Sequence, residues 1–304
     1  MSNRAELIVG DLEAAIEDHL ARGFRLDMIM PADAPRTALL STPQTAVRLI
    51  AQHRAPPEVS ADPQAFVITR ANAQAWSPGR AGMQYRDLIP GRCGGRFIAS
   101  HIRIEEGGPV ADYVHHHRVR FQMIYCRKGW VRVVYEDQGQ PFVMHEGDCV
   151  LQPPHIRHRV LESSTGLEVI EIASPAEHET WRDHALELPT AVVDRDRSFS
   201  GQRFVRHTAA DAPSTAIRDT GIAAATNGLA GARLLTLASS AKREGRHIGE
   251  FLFFAILKGR LTLKAGEHGT HTLNSDDACV LPAGTSFALQ AVDDAELLEV
   301  SLPA

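Results

Sequence analysis

The chain has 304 residues, 44% of them hydrophobic and 23% charged, with a formal net charge of −5. That composition fits a soluble globular protein long enough for two or three domains, and the acidic balance argues against a nucleic-acid partner. No apolar run approaches the roughly 20 residues of a spanning helix, and the acids inside the opening MSNRAELIVGDLEAAIEDHL argue against a signal peptide.

Residues 11 to 23, DLEAAIEDHLARG, have the period of one amphipathic helix, with Leu12, Ala15, Ile16 and Leu20 on one face and Gly23 placed to stop it. AELIV before it and FRLDMIM, TALLS and AVRLI after it are short and β-like, which predicts a β-α-β-β-β module over residues 1–54. Through DLEAAIEDHLARGFRLDMI this module resembles one half of the vicinal-oxygen-chelate (glyoxalase-like) family. That family takes metal ligands from its strands. AELIV offers no His or Gln for the purpose, so a packing or dimer-forming role is expected instead.

APPEVSADPQ, with three prolines in ten residues, reads as a linker, placed at residues 55–79. Beyond residue 80 come short segments rich in Val, Ile and aromatics: GGRFIASHIRI, FQMIYC, WVRVVYED, FVMHEGD, CVLQP, HRVLES and LEVIEIA. Their spacing predicts an all-β barrel or sandwich. AEHETWRDHALELPT, residues 176–190, is more helical or irregular and is placed to join two barrels. FQMIYCRKGWVRV at 121–133 returns as FLFFAILKGRLTL at 251–263, and GDCVLQPP at 147–154 returns as DDACVLPAG at 276–284. Two copies of one β-barrel are therefore expected, over residues 80–190 and 191–304.

Histidine is the unusual residue: the chain has 15, and YVHHHRVRFQ at 113–122 holds three in a row. In an extended strand His115 and His117 point to one face and His116 to the other. Two imidazoles so placed can share an ion, with His158 as the obvious third. Here the sequence is similar to the cupin superfamily. Its first motif, G-x5-H-x-H-x3,4-E-x6-G, is matched by Gly108, His115, His117, Gln122 in place of the glutamate, and Gly129, with one extra residue after Gly108. Its second, G-x5-P-x-G-x2-H-x3-N, is matched by Gly147, Pro153, His155 in place of the glycine, His158, and Glu162 in place of the asparagine.

The resemblance implies a mainly β protein of two cupin-type double-stranded β-helix (jelly-roll) barrels. It implies a divalent metal on His115, His117 and His158, with Gln122 at the fourth position. Gln122 offers only a neutral amide oxygen, a poorer ligand than glutamate. Fe(II) is the expected ion, with Ni, Zn, Mn and Cu also suited to imidazole. The leading function is a metal-dependent dioxygenase of a small organic substrate, with Gln122 and His155 orienting bound ligands. The alternatives are a metal-dependent isomerase or lyase, or a non-catalytic small-molecule-binding bicupin.

In the second copy the corresponding positions hold Gly245, His247, Leu252 and Phe287, so that barrel is expected to have lost the site. Phe251, Phe253 and Phe254 read as core or interface. Cys126 shares a side with Gln122 and Ile124, and reads as a buried small hydrophobe. The four cysteines contain no CxxC pair and fit reduced thiols in a cytoplasmic protein. Exposed edge strands suggest a homodimer.

Overall fold

The structure is a computed structural model that describes residues 4–52, 62, 64–72, 75–79, 82–211 and 215–303. The β-α-β-β-β order of the N-terminal module is present: strands Arg4–Val9, Arg25–Met30, Thr37–Ser41 and Ala46–Ala51 flank the helix Leu12–Ala21. Asp11 caps that helix by accepting from the Ala14 N–H at 3.0 Å, and Gly23, at φ +86°, turns the chain out of it. Leu12 packs into the module's core with Ala15 and Ile16 beside it. Leu20, expected on the same face, is 42% exposed, and His19 is buried instead, its ring edge-on to Phe24.

The module is continuous with the first barrel. Its strand Arg25–Met30 pairs with Thr180–Arg182, which pairs in turn with His115–His117. The segment 176–190 is thus not merely a connector: its short strand stitches the module to the barrel. That sheet continues through His158–Ser163, Trp130–Tyr135 and Phe142–His145. The barrel's other sheet runs Cys149–Leu151, Phe121–Lys128, Leu167–Ser174, Ile98–Ile104 and Gln84–Asp87.

The second barrel repeats the plan. One sheet holds Gly231–Leu237, Ala295–Leu302, Phe251–Lys258 and Ala278–Val280; the other holds Lys242–Arg246, Ser286–Ala291, Arg260–Ala265 and Thr270–Asn274. The barrels exchange strands. Val67–Thr69, inside the segment read as a linker, pairs with Ala278–Val280 of the second barrel, and Val205–His207 pairs with Cys149–Leu151 of the first. The proline-rich part of that linker reading, residues 55–61 and 63, lies outside the described residues.

Strand alternation explains three separate cores. Phe121, Met123 and Tyr125 face Phe251, Phe253 and Ala255 in an apolar layer between the barrels, where Phe97 stacks on Phe251 at 4.1 Å. The alternate residues Ile124 and Cys126 face the first barrel's interior, and Phe254 faces the second's. Among the described residues no helix is long and apolar enough to cross a membrane.

Candidate metal centre

The sheet pairing that closes the first barrel also assembles its histidines. His115 lies directly opposite His158 on an antiparallel strand, and His117 stands two residues along on the same face. One ligating atom from each of the three residues lies within 4.8 Å of the others, and all three side chains are buried. Three histidine nitrogens clustered this closely would suit one divalent ion, for which imidazole is a common ligand.

Each ring is held by its Nδ1. His115 Nδ1 donates to the Tyr113 carbonyl at 2.8 Å, and His158 Nδ1 donates to the Ile156 carbonyl at 3.1 Å. A carbonyl only accepts, so both rings carry hydrogen on Nδ1 and keep the Nε2 lone pair. His117 Nδ1 meets the Thr180 hydroxyl at 2.9 Å, a partner that orients the ring and can either accept or donate. Oxygen partners on the outer nitrogen are how metal-binding histidines are usually fixed. The donor set therefore fits a divalent ion: three buried imidazoles cluster together, two of them with hydrogen fixed on Nδ1 and the Nε2 lone pair able to ligate a metal.

These rings border a cavity of about 100 Å³. Gln122, Gln152 and Glu171 are its other hydrogen-bonding wall residues apart from Tyr85 and Tyr135; the rest is aliphatic or methionine, including Ile102, Ile124, Val133 and Met144. No Lys or Arg is among its described wall residues. The N-terminal module reaches it through Ala32, in a turn clamped by Asp33 to Arg92 at 2.6 Å and by Arg36 to Glu177 at 2.5 Å.

Of the residues singled out in the sequence, His115, His117, Gln122 and His158 come together on this cavity. His155 does not. It is exposed, outside the cavity wall, and its ring lies 5.6 Å from that of His116. Its backbone explains why the motif has glycine there: φ is +67°, the left-handed region that a Cβ disfavours. His116 is half-buried and faces away from the cavity, and burial pushes its pKa down to about 4. Cys126 sits in the apolar core, its thiol pushed up by burial to about 12.

The sequence reasoning missed Thr180 and Glu171. Thr180 lies 63 residues from His117 and meets it only through strand pairing. Glu171 had a readable signal: it is an acid inside LEVIEIA, on the side opposite the core-facing Ile170 and Ile172.

The second barrel preserves the pairing and loses the ligands. Gly245 lies opposite Phe287, as His115 lies opposite His158. A Cβ on Gly245 would stand 2.7 Å from the Phe287 ring, so that ring occupies the space of the absent imidazoles. His247 remains, buried, with no hydrogen-bond partner on Nε2.

Residues 100–172 match the family model of the cupin domain. Among solved structures, protein Ylba from E. coli superposes with a TM-score of 0.58 at 12% identity, over 81% of this chain and 94% of that one. A mutant of Bacillus subtilis oxalate decarboxylase superposes with a TM-score of 0.58 at 13% identity, over 81% of this chain and 79% of that one. A search of curated protein sequences gives no match. The first barrel thus carries a match to the cupin domain, and with the same strand plan repeated in the second the chain has a two-barrel, cupin-like fold, histidine-lined in its first barrel and filled in its second.

Proposed function

We propose that this protein is a metal-dependent oxidoreductase, a dioxygenase using Fe(II) on His115, His117 and His158, acting on a small organic substrate that binds through oxygen atoms. The observation that carries the reading is the contrast within one cavity: three imidazoles converge among mostly apolar walls with no Lys or Arg among the described residues. Neutral ligands leave a divalent ion its full charge for substrate oxygens, while apolar walls with no Lys or Arg among their described residues favour an aromatic or diketone-like oxygen chelator over a polyanion. Bound there, the ion would supply a Lewis acid and a template for substrate oxygens.

The chain's own residues supply the rest. Tyr113 and Ile156 hold His115 and His158 in one tautomer, and Thr180 orients His117 beside them. The apolar walls exclude water from the reacting groups and match a weakly polar substrate body. Gln122 offers an amide to the ion or to a ligand beside it.

Glu171 favours a second reading. A carboxylate on the cavity wall suits proton transfer, as in an isomerase or lyase that needs no oxygen. The Mn(II) centres named for Bacillus subtilis oxalate decarboxylase keep manganese among the ions to load. The test is an oxygen-electrode screen of phenolic and diketone compounds with the Fe(II)-loaded protein. Iron-dependent oxygen uptake supports the dioxygenase; conversion that continues undiminished without oxygen refutes it in favour of the second reading.

The remaining assignments rest on separate features. Edge strand Arg4–Val9, with Leu7 44% and Ile8 72% exposed, supports a homodimer. Four free, buried cysteines support a reducing, cytoplasmic setting.

A further inference from the structure

We infer that Glu171 is a positioning residue that sets which end of the Gln122 amide faces the three histidines. The inference rests on the metal reading of this site. Strands Phe121–Lys128 and Leu167–Ser174 are antiparallel neighbours, with Gln122 opposite Ala173 and Ile124 opposite Glu171. Gln122 and Glu171 are thus diagonal neighbours on the inner face, within reach of each other. Gln122 Nε2 donates to Glu171 Oε1 at 2.5 Å, and both residues line the metal cavity.

The chemistry of the pair fixes the amide. A carboxylate offers acceptors only, so it takes the NH2 end of Gln122. The carbonyl oxygen is then the end left for the cavity, and it is the only end of an amide able to ligate a cation. With a glutamine at position 171, which carries a donor as well as an acceptor, the amide can turn over and present its NH2, which repels an ion. The negative charge that the motif glutamate would bring to the ion is thereby moved one residue outward, onto Glu171.

The second barrel gives independent support. Glu299 lies opposite Phe254 there, as Glu171 lies opposite Ile124. It accepts from Arg243 at 2.6 Å instead of from an amide, and the position of Gln122 is taken by Leu252. An inward acid is present in both barrels. It meets an amide where the histidines are present and a guanidinium where they are not.

The experiment compares Co(II) affinity and the Co(II) ligand-field absorption of the full chain across four variants. Glu171→Gln is expected to weaken Co(II) binding about 10–100-fold and to shift the absorption. Gln122→Leu is expected to do the same, and the double variant Gln122→Leu/Glu171→Gln to lose no more than either alone. Exchanging the two groups, as Gln122→Glu/Glu171→Gln, is expected to restore affinity by returning the carboxylate to the motif position. Additive losses in the double variant, or an unchanged spectrum in Glu171→Gln, would overturn the inference while leaving the metal site standing. A wild-type protein that binds no cobalt would overturn both.

Discussion

Gly245 faces Phe287 across two antiparallel strands of the second barrel, at the register where His115 faces His158 in the first. The two barrels thus share a scaffold and differ in what fills one space: imidazoles around a cavity, or a phenyl ring against a glycine. The Phe287 ring stands where the two missing imidazoles would lie.

The relationship predicts that the second site can be restored. In Gly245→His/Phe287→His the new imidazoles join His247, whose Nε2 has no partner. Without metal the variant is destabilised, by less than the ~3–5 kcal/mol of a full Phe→Ala truncation. Metal titration is expected to rise from one ion per chain to two, with a recovery of thermal stability on loading. A stoichiometry that stays at one would contradict the equivalence of the two positions.

Thr180 is predicted to tune the first site without touching the ion. Thr180→Val removes the oxygen that holds His117 Nδ1 and should weaken metal binding ~10–100-fold. Thr180→Ser keeps the hydroxyl and should bind nearly as the wild type does. Competition against a chelator of known affinity measures both.

His155→Gly separates the backbone of that turn from its side chain. The residue sits at φ +67°, where a Cβ costs roughly 1–2 kcal/mol, so glycine is expected to leave stability unchanged or raised. Metal affinity is expected to stay within about twofold, because the ring lies outside the cavity wall. A large loss of affinity would restore a role to that histidine.

These cases show what the sequence made legible. His115, His117 and His158 were readable because strand parity and motif spacing are local properties, and the repeat exposed the second barrel's losses at Gly245 and Phe287. Thr180 was not readable, since its meaning comes from lying between the module strand Arg25–Met30 and His117. Ala32 reaches the cavity for the same reason: a tertiary docking of the module that no short pattern encodes. Val67–Thr69 looked like linker because a three-residue strand with its partner some 210 residues away carries no periodicity of its own.

Stability is predicted to fall with acid in two windows. Burial lowers His207 and His247 below their ordinary 6.5, and the hydrogen bond from His101 lowers Glu168 below 4.5. In each case the unfolded chain binds the proton more readily, so stability rises with pH through the window. The histidine contributions are complete above pH 6.5 and fade below it; the Glu168 contribution is complete above pH 4.5 and is lost beneath. Urea unfolding between pH 8 and pH 3.5 is expected to follow this course, with His207→Gln reducing the slope in the upper window and Glu168→Gln in the lower. A wild-type profile flat across both would contradict it.

The central claim is that His115, His117 and His158 hold one divalent ion. Metal content of the wild type and of His117→Ala, each purified after iron supplementation without oxygen, tests it most directly. The account predicts one ion per chain in the wild type and a near-complete loss in a His117→Ala protein that keeps its β-sheet circular dichroism. Equal metal content in the two would contradict it.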